Sequence, residues 1–124
     1  MRFFRCRHCG NVVMYAVNSG VPVVCCGEEM QELVPGVTDA SREKHVPAVT
    51  REGDFLRVQV GSVAHPMEEN HRIDFVALKT ARGIQVQSLK PGEAPSASFA
   101  LVPGDAPESA WEYCSLHGLW KADV

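Results

Sequence analysis

The chain has no apolar run near the roughly 20 residues that a membrane-crossing helix requires, so no segment is read as spanning a bilayer. Its opening, MRFFRCRHCG, lacks the apolar stretch of a secretory leader, and the expectation is a cytoplasmic protein. A large excess of either charge is missing. The net charge is -3, and the basic residues are scattered rather than gathered into a stripe, which argues against a nucleic-acid partner. Long amphipathic helical patterns, low-complexity tracts and internal repeats are also missing. Hydrophobic residues still make up 45% of 124 positions, enough for one ordinary domain or for a compact domain with a small module.

Cysteine and histidine are what the chain does have. The five cysteines are Cys6, Cys9, Cys25, Cys26 and Cys114. An odd count, without an export signal, suits thiolate ligands better than a disulfide framework. The five histidines are His8, His45, His65, His71 and His117.

Residues 1 to 35 are dense in Cys and Gly. Two β-like pieces, NVVMYAV (11–17) and VPVVCC (21–26), are separated by the turn signal NSG. A segment of about 35 residues cannot hold itself together by apolar burial alone, so a metal or a covalent staple is expected there. LVPGVTDAS (33–41) reads as a linker. Beyond it, DFLRVQVGSV (54–63) alternates, with Leu56, Val58 and Val60 on one face. HRIDFVALKT (71–80) alternates too, aligning Ile73, Phe75 and Ala77. ARG (81–83) reads as a turn, and IQVQSL (84–89), SASFAL (96–101) and SAWEYC (109–114) as further strands, the last closing the set. Short strands between regular turn signals predict an all-β chain with a β-sandwich. The expected domains are a small metal-binding module at 1–36 and a sandwich at 37–124.

CRHC is a C-x-x-C, and the adjacent pair Cys25–Cys26 begins sixteen residues after Cys9. Four thiolates from two short loops can surround one ion tetrahedrally, and thiolates suit iron or zinc. The second pair has no spacer, which predicts a distorted site. Gly10 and Gly27 follow the two pairs and permit tight turns there. Composition favours iron, but structural zinc stays open, as does a strained vicinal disulfide of Cys25 with Cys26. His8, inside the C-x-x-C, reads as a loop residue rather than a ligand.

Cys114 and His117 form a C-x-x-H in CSLHGLW. AHPMEENH presents His65 and His71 in a loop that Pro66 keeps from being a regular strand, and EKHVP supplies His45. One thiolate and four imidazoles are one donor too many for a closed structural zinc site. They suit a five-coordinate transition metal, iron above all, with one position open. A ferrous ion with neutral imidazoles and one thiolate carries a net positive charge, and Lys44 adds another, so a small anion is drawn in despite the acidic chain. A thiolate pushes electron density toward whatever binds at the open position, as it does in haem enzymes. The site is therefore expected to hand one electron to a small anionic oxidant.

CRHCGN followed by VVCCGEEM resembles the N-terminal module of desulfoferrodoxin. EKHVP, VGSVAHPMEENH and CSLHGLW resemble the motifs of superoxide reductases, in the family's order and over nearly the whole chain. The resemblance implies a desulforedoxin-like, distorted rubredoxin-type iron on Cys6, Cys9, Cys25 and Cys26. It also implies an immunoglobulin-like sandwich whose iron has His45, His65, His71 and His117 in a plane and Cys114 axial. His117 would bind through Nδ1 and the other three through Nε2. Glu43 would match the glutamate that closes the sixth position in the oxidised state. Lys44 would match the lysine that attracts superoxide and organises water for protonation. Glu68 and Glu69, between the two loop histidines, are expected to stay away from the metal. The implied activity is one-electron reduction of superoxide to hydrogen peroxide, with an external donor such as rubredoxin and a homodimeric assembly. A non-catalytic iron electron-transfer protein and a zinc-stabilised interaction module are the competing readings.

Overall fold

β-Branched and aromatic residues at period two build strands throughout the computed structural model, which describes residues 1–124. The all-β expectation holds. The chain forms two compact units, Met1–Val34 and Pro35–Val124.

In the first unit, β1 (Phe3–Arg5) lies between β2 (Val12–Met14) and β5 (Gln31–Leu33), all antiparallel. A separate two-stranded ribbon pairs β3 (Val24–Cys25) with β4 (Glu28–Glu29). Only Cys26 and Gly27 join these two strands, at φ of 52° and 75°. Two left-handed residues in a two-residue hairpin are the type I′ turn, whose twist matches the strands it joins. The regular stretches are shorter than the sequence implied: only Val12–Met14 of the first piece and Val24–Cys25 of the second are strand.

The second unit begins with one helical turn, α1 (Arg42–His45), which Pro47 ends. One sheet has the order β10 (Ser96–Ala100), β7 (Phe55–Val60), β6 (Pro47–Glu52). The other has the order β12 (Gly118–Asp123), β11 (Pro107–Cys114), β8 (Ile73–Thr80), β9 (Ile84–Ser88). Every pairing is antiparallel. Leu56, Val58 and Val60 from one sheet meet Ile73, Val76, Leu78, Ala110 and Cys114 from the other in a single core. Phe55, Arg57 and Gln59 face out, as the alternation requires.

Three readings of the sequence need correction. SAWEYC is not the last strand, because β12 follows the CSLH turn and pairs with β11 from Ser109 to Cys114. Strand β6, at PAVTRE, also went unread. Ile73 does not share a face with Phe75 and Ala77. The register between β8 and β11 slips between Tyr113 and Cys114, so that Ile73 opposes Cys114 while Phe75 opposes Tyr113. A bulge of this kind inverts the facing of everything beyond it. Ile73 therefore joins Val76 and Leu78 in the core, while Phe75 stacks on Tyr113 on the opposite face.

Candidate metal centres

The bulge lies where β11 ends, and β11 ends on Cys114, which is fully buried. The chain then turns through Ser115, Leu116 and His117 before Gly118 pairs back across from Cys114. Within that turn the His117 N–H donates to Cys114 Sγ at 3.4 Å. Ser115 fastens the turn to the start of β8: its N–H donates to the Arg72 carbonyl, and its Oγ accepts from the Arg72 N–H. His71, next to Arg72, is thereby tied to the Cys114–His117 turn.

The AHPMEENH loop is held at both ends. Glu68 and His71 exchange two backbone hydrogen bonds, and Met67 packs against the core. The fourth imidazole comes from α1, where His45 Nδ1 lies 2.6 Å from the Ser41 carbonyl one turn back. His65 makes the corresponding contact, Nδ1 to the Pro66 carbonyl, also at 2.6 Å. A carbonyl only accepts, so both Nδ1 atoms carry the proton and both Nε2 atoms present lone pairs. The two Nε2 atoms lie 3.1 Å apart, and His117 Nδ1 lies 3.1 Å from His45 Nε2. Cys114 Sγ is 3.4 Å from His65 Nε2 and 3.7 Å from His117 Nδ1. His71 Nε2 is buried and has no hydrogen-bond partner.

One donor atom from each of His45, His65, His71, Cys114 and His117 lies within 4.8 Å of all the others. This arrangement fits a metal ion. Bonds of about 2.1 Å at right angles put neighbouring nitrogens about 3 Å apart. Two facing lone pairs at that distance repel unless a cation sits between them, and the orphaned His71 nitrogen has no other use for its lone pair. Burial holds His45 and His71 below the usual imidazole range and pushes His65 down to about 4, so these rings are neutral ligands at pH 7. Burial also raises the Cys114 thiol, which ionises readily only beside a cation. His45, His65 and Cys114 are buried, whereas His71 and His117 are half-buried, so the cluster reaches solvent on the side of the latter two.

Glu43 and Lys44 sit on α1 immediately before His45, Glu43 exposed and Lys44 half-buried. The Glu43 carbonyl accepts from the Val63 N–H and the Ser62 hydroxyl, which pins α1 to the turn that leads into His65. Neither Glu43, Glu68 nor Glu69 contributes to the five-donor group. Two residues near the site escaped the sequence reading. Trp120 stacks on His45, and Glu112 lies fully buried two positions before Cys114 on the same face of β11. The only cue to Trp120 was its place in the HGLW run, and nothing in the sequence marked Glu112.

The first unit brings Cys6, Cys9, Cys25 and Cys26 together, again with all four sulfurs within 4.8 Å of one another. Cys9 Sγ and Cys25 Sγ are 3.6 Å apart, close to the roughly 3.8 Å between sulfurs in a tetrahedron with 2.3 Å bonds. No pair is disulfide-bonded. The type I′ turn explains how adjacent cysteines serve one site: Cys25 ends a strand, while Cys26 bends away in a left-handed conformation. Backbone N–H groups of Cys9 and Asn11 point at Cys6 and Cys9 sulfurs, and Asn11 Nδ2 at the Cys25 sulfur. The Cys9 N–H draws the Cys6 thiol down to about 6, while hydrogen bonding with the Cys9 and Cys6 sulfurs pushes Cys26 up to about 12. Four sulfurs this close together become four thiolates only around a cation. His8 is turned to the Glu28 carboxylate, which also pairs with Arg7.

A family model described as desulfoferrodoxin matches residues 37–123. The desulfoferrodoxin of Nitratidesulfovibrio vulgaris is 45% identical over 122 residues, covering 98% of this chain and 94% of the relative. The crystal structure of the superoxide reductase from Treponema pallidum superposes with a TM-score of 0.83 at 40% identity, covering 98% of this chain and 97% of that one. A one-iron superoxide reductase from Giardia intestinalis superposes with a TM-score of 0.58 at 31% identity, covering 66% of this chain and 97% of its own.

Proposed function

The chain belongs to the desulfoferrodoxin family, and on that premise we propose that it is a two-iron superoxide reductase. The reaction is superoxide plus one electron plus two protons giving hydrogen peroxide. The observation that carries the reading is the convergence of four imidazole nitrogens and one thiol sulfur, with two of the rings already locked by carbonyls. The two donor sets match those of a two-iron desulfoferrodoxin. His45, His65, His71, His117 and Cys114 would hold the catalytic iron, and Cys6, Cys9, Cys25 and Cys26 the second. The four-cysteine set lies in the unit Met1–Val34 and the five-donor set in Pro35–Val124.

Iron at the five-donor cluster supplies the single electron by cycling between its ferrous and ferric states. The rest is the work of the chain. Lys44 provides a cation beside the half-buried His71–His117 side and raises the local concentration of a small anion. Its ammonium also orders the water that delivers the two protons. Glu43, one residue away, is the carboxylate proposed to cover the open position after turnover. Cys114 supplies negative charge that favours giving an electron away. An external one-electron donor such as rubredoxin restores the reduced state, and a cytoplasmic homodimer completes the proposal. No helix in the structure is long and apolar enough to cross a membrane.

The test is metal content with visible spectra in both oxidation states, followed by pulse-radiolytic mixing with superoxide. Two irons per chain and fast, stoichiometric peroxide formation are expected. A colourless protein with two zinc ions, or an iron at the five-donor cluster indifferent to superoxide and to small anions such as azide, overturns the reading.

A further inference from the structure

Trp120 touches two of the five ligand residues at once. On β12 it is buried, with 2% of its surface exposed. Its ring lies 5.0 Å from the His45 ring, centroid to centroid, with the planes only 26° apart. Its indole N–H donates to the His117 carbonyl at 3.2 Å. Gly36 also approaches the indole, and a Cβ there would lie 4.0 Å from Trp120 Cε3. The Gly36 N–H donates in turn to the Leu119 carbonyl.

These contacts matter because the other contacts of both ligand residues leave each a freedom of its own. His45 ends a single helical turn, and its Nδ1 contact with Ser41 fixes one point of the ring but leaves its tilt about that point free. His117 lies in a short turn between strands, and its half-buried side chain faces the solvent side of the cluster. The two ring nitrogens are 3.1 Å apart although the residues are 72 positions apart in sequence. A rigid two-ring side chain stacked on one and bonded to the main chain of the other removes both freedoms. The other rings that meet His45, those of His65 and His117, do so edge-on and are ligands themselves.

We infer that Trp120 is a positioning residue that sets the His45 ring plane and the His117 main chain together, and so sets how tightly the five-donor cluster grips its metal. The inference rests on the reading of that cluster as the catalytic iron site. It assigns the indole two separable tasks. Trp120→Phe keeps a ring against His45 and removes the N–H donor. Trp120→Leu removes both.

The experiment challenges full-length holoprotein with excess EDTA and follows metal loss from the two clusters separately by their absorption. The ferric electron paramagnetic resonance signal of the five-donor site is recorded alongside. Partners that orient metal ligands are typically worth about 10–100-fold in affinity. Trp120→Leu should therefore release metal from the five-donor cluster about 10–100-fold faster than the native chain, with a changed ferric signal. Trp120→Phe should fall between the two. Release from the four-cysteine cluster should be unchanged, which separates an effect on the site from general loosening of the fold. If Trp120→Leu does not fold, Trp120→Phe alone decides. A native release rate and a native ferric signal in every variant that folds overturn the inference and leave the functional reading standing. A native chain that holds no iron at this cluster overturns the functional reading itself.

Discussion

His45 and His65 face each other with their Nε2 atoms 3.1 Å apart, and each has already spent its Nδ1 proton on a carbonyl, Ser41 for one and Pro66 for the other. The pair can relieve its lone-pair repulsion by binding a cation or a proton. Burial, which pushes His65 down to about 4, opposes the proton. The unfolded chain protonates this histidine near the ordinary 6.5, so between about 6.5 and 4 the unfolded state binds protons that the folded state refuses. Stability is therefore expected to fall as pH falls through that window, and metal should leave in the same window because protons compete for the same nitrogens. Urea unfolding and iron content of the loaded protein from pH 7.5 to 4.5 check this. A midpoint and an iron content as high at pH 4.5 as at pH 7.5 would contradict it.

Gly61 governs how close α1 comes to the turn before His65. It sits at a φ of 79°, and a Cβ there would lie 2.6 Å from the Glu43 carbonyl oxygen, the Lys44 carbonyl carbon and the Val63 carbonyl oxygen. All three are backbone atoms, so no side chain can swing aside. Gly61→Ala should destabilise the fold by about 1–3 kcal/mol and displace the segment bearing Glu43, Lys44 and His45. Denaturant melts with iron analysis would show both effects, and an alanine variant with native stability and full iron would refute the claim.

Most of the metal chemistry was legible in the sequence because it lies in side-chain types at short spacings: C-x-x-C, Cys-Cys, C-x-x-H and the paired loop histidines. The β-sandwich was legible wherever one face is buried and the other wet, as in β7. What was not legible depends on register and on backbone. The slip between Tyr113 and Cys114 reverses the facing of β8, and no periodicity count reveals it. The carbonyls of Ser41 and Pro66 that fix two tautomers belong to residues of unremarkable type. The Cys26–Gly27 turn resolves the difficulty of adjacent ligands through a left-handed cysteine, a conformation rare enough that composition gives no hint of it.

The roles proposed for Lys44 and Glu43 separate capture from closure. Replacing Lys44 with alanine should slow superoxide capture by about tenfold and flatten its dependence on ionic strength, since the lost charge is the one that steers. Replacing Glu43 with alanine should leave capture near native while changing the oxidised spectrum. Pulse radiolysis over a salt series distinguishes them. A Lys44→Ala rate with undiminished salt dependence rules out steering by this residue. A loss of tenfold or more in Glu43→Ala, about 1.4 kcal/mol of barrier, rules out a passive lid.

Glu112 is a carboxyl buried in the sandwich without a partner. It is fully buried, both carboxylate oxygens lack a hydrogen-bond partner, and its neighbours across the sheet are Val76 and Trp120. Burial raises its pKa well above the ordinary 4.5 and so favours the neutral acid in the core. A carboxyl whose folded pKa is raised stabilises the folded state less as pH climbs above the ordinary 4.5 toward the folded value, because only the unfolded chain then releases the proton. Removing the two orphaned oxygens while keeping the volume should help rather than harm: Glu112→Met is expected to raise stability by about 1–3 kcal/mol at pH 7 and to abolish that part of the decline toward alkaline pH. Glu112→Gln keeps unpartnered polar atoms in the same place but cannot ionise, so it should gain less than Glu112→Met at pH 7 while losing the same decline toward alkaline pH. Urea midpoints at pH 5 and pH 9 for the three proteins measure the effect, with iron content taken in parallel. Should Glu112→Met prove less stable than the native chain at both pH values, the carboxyl has a partner that offsets its burial. Should it keep its stability but lose iron from the Cys114 cluster, that partner is the metal site two residues away.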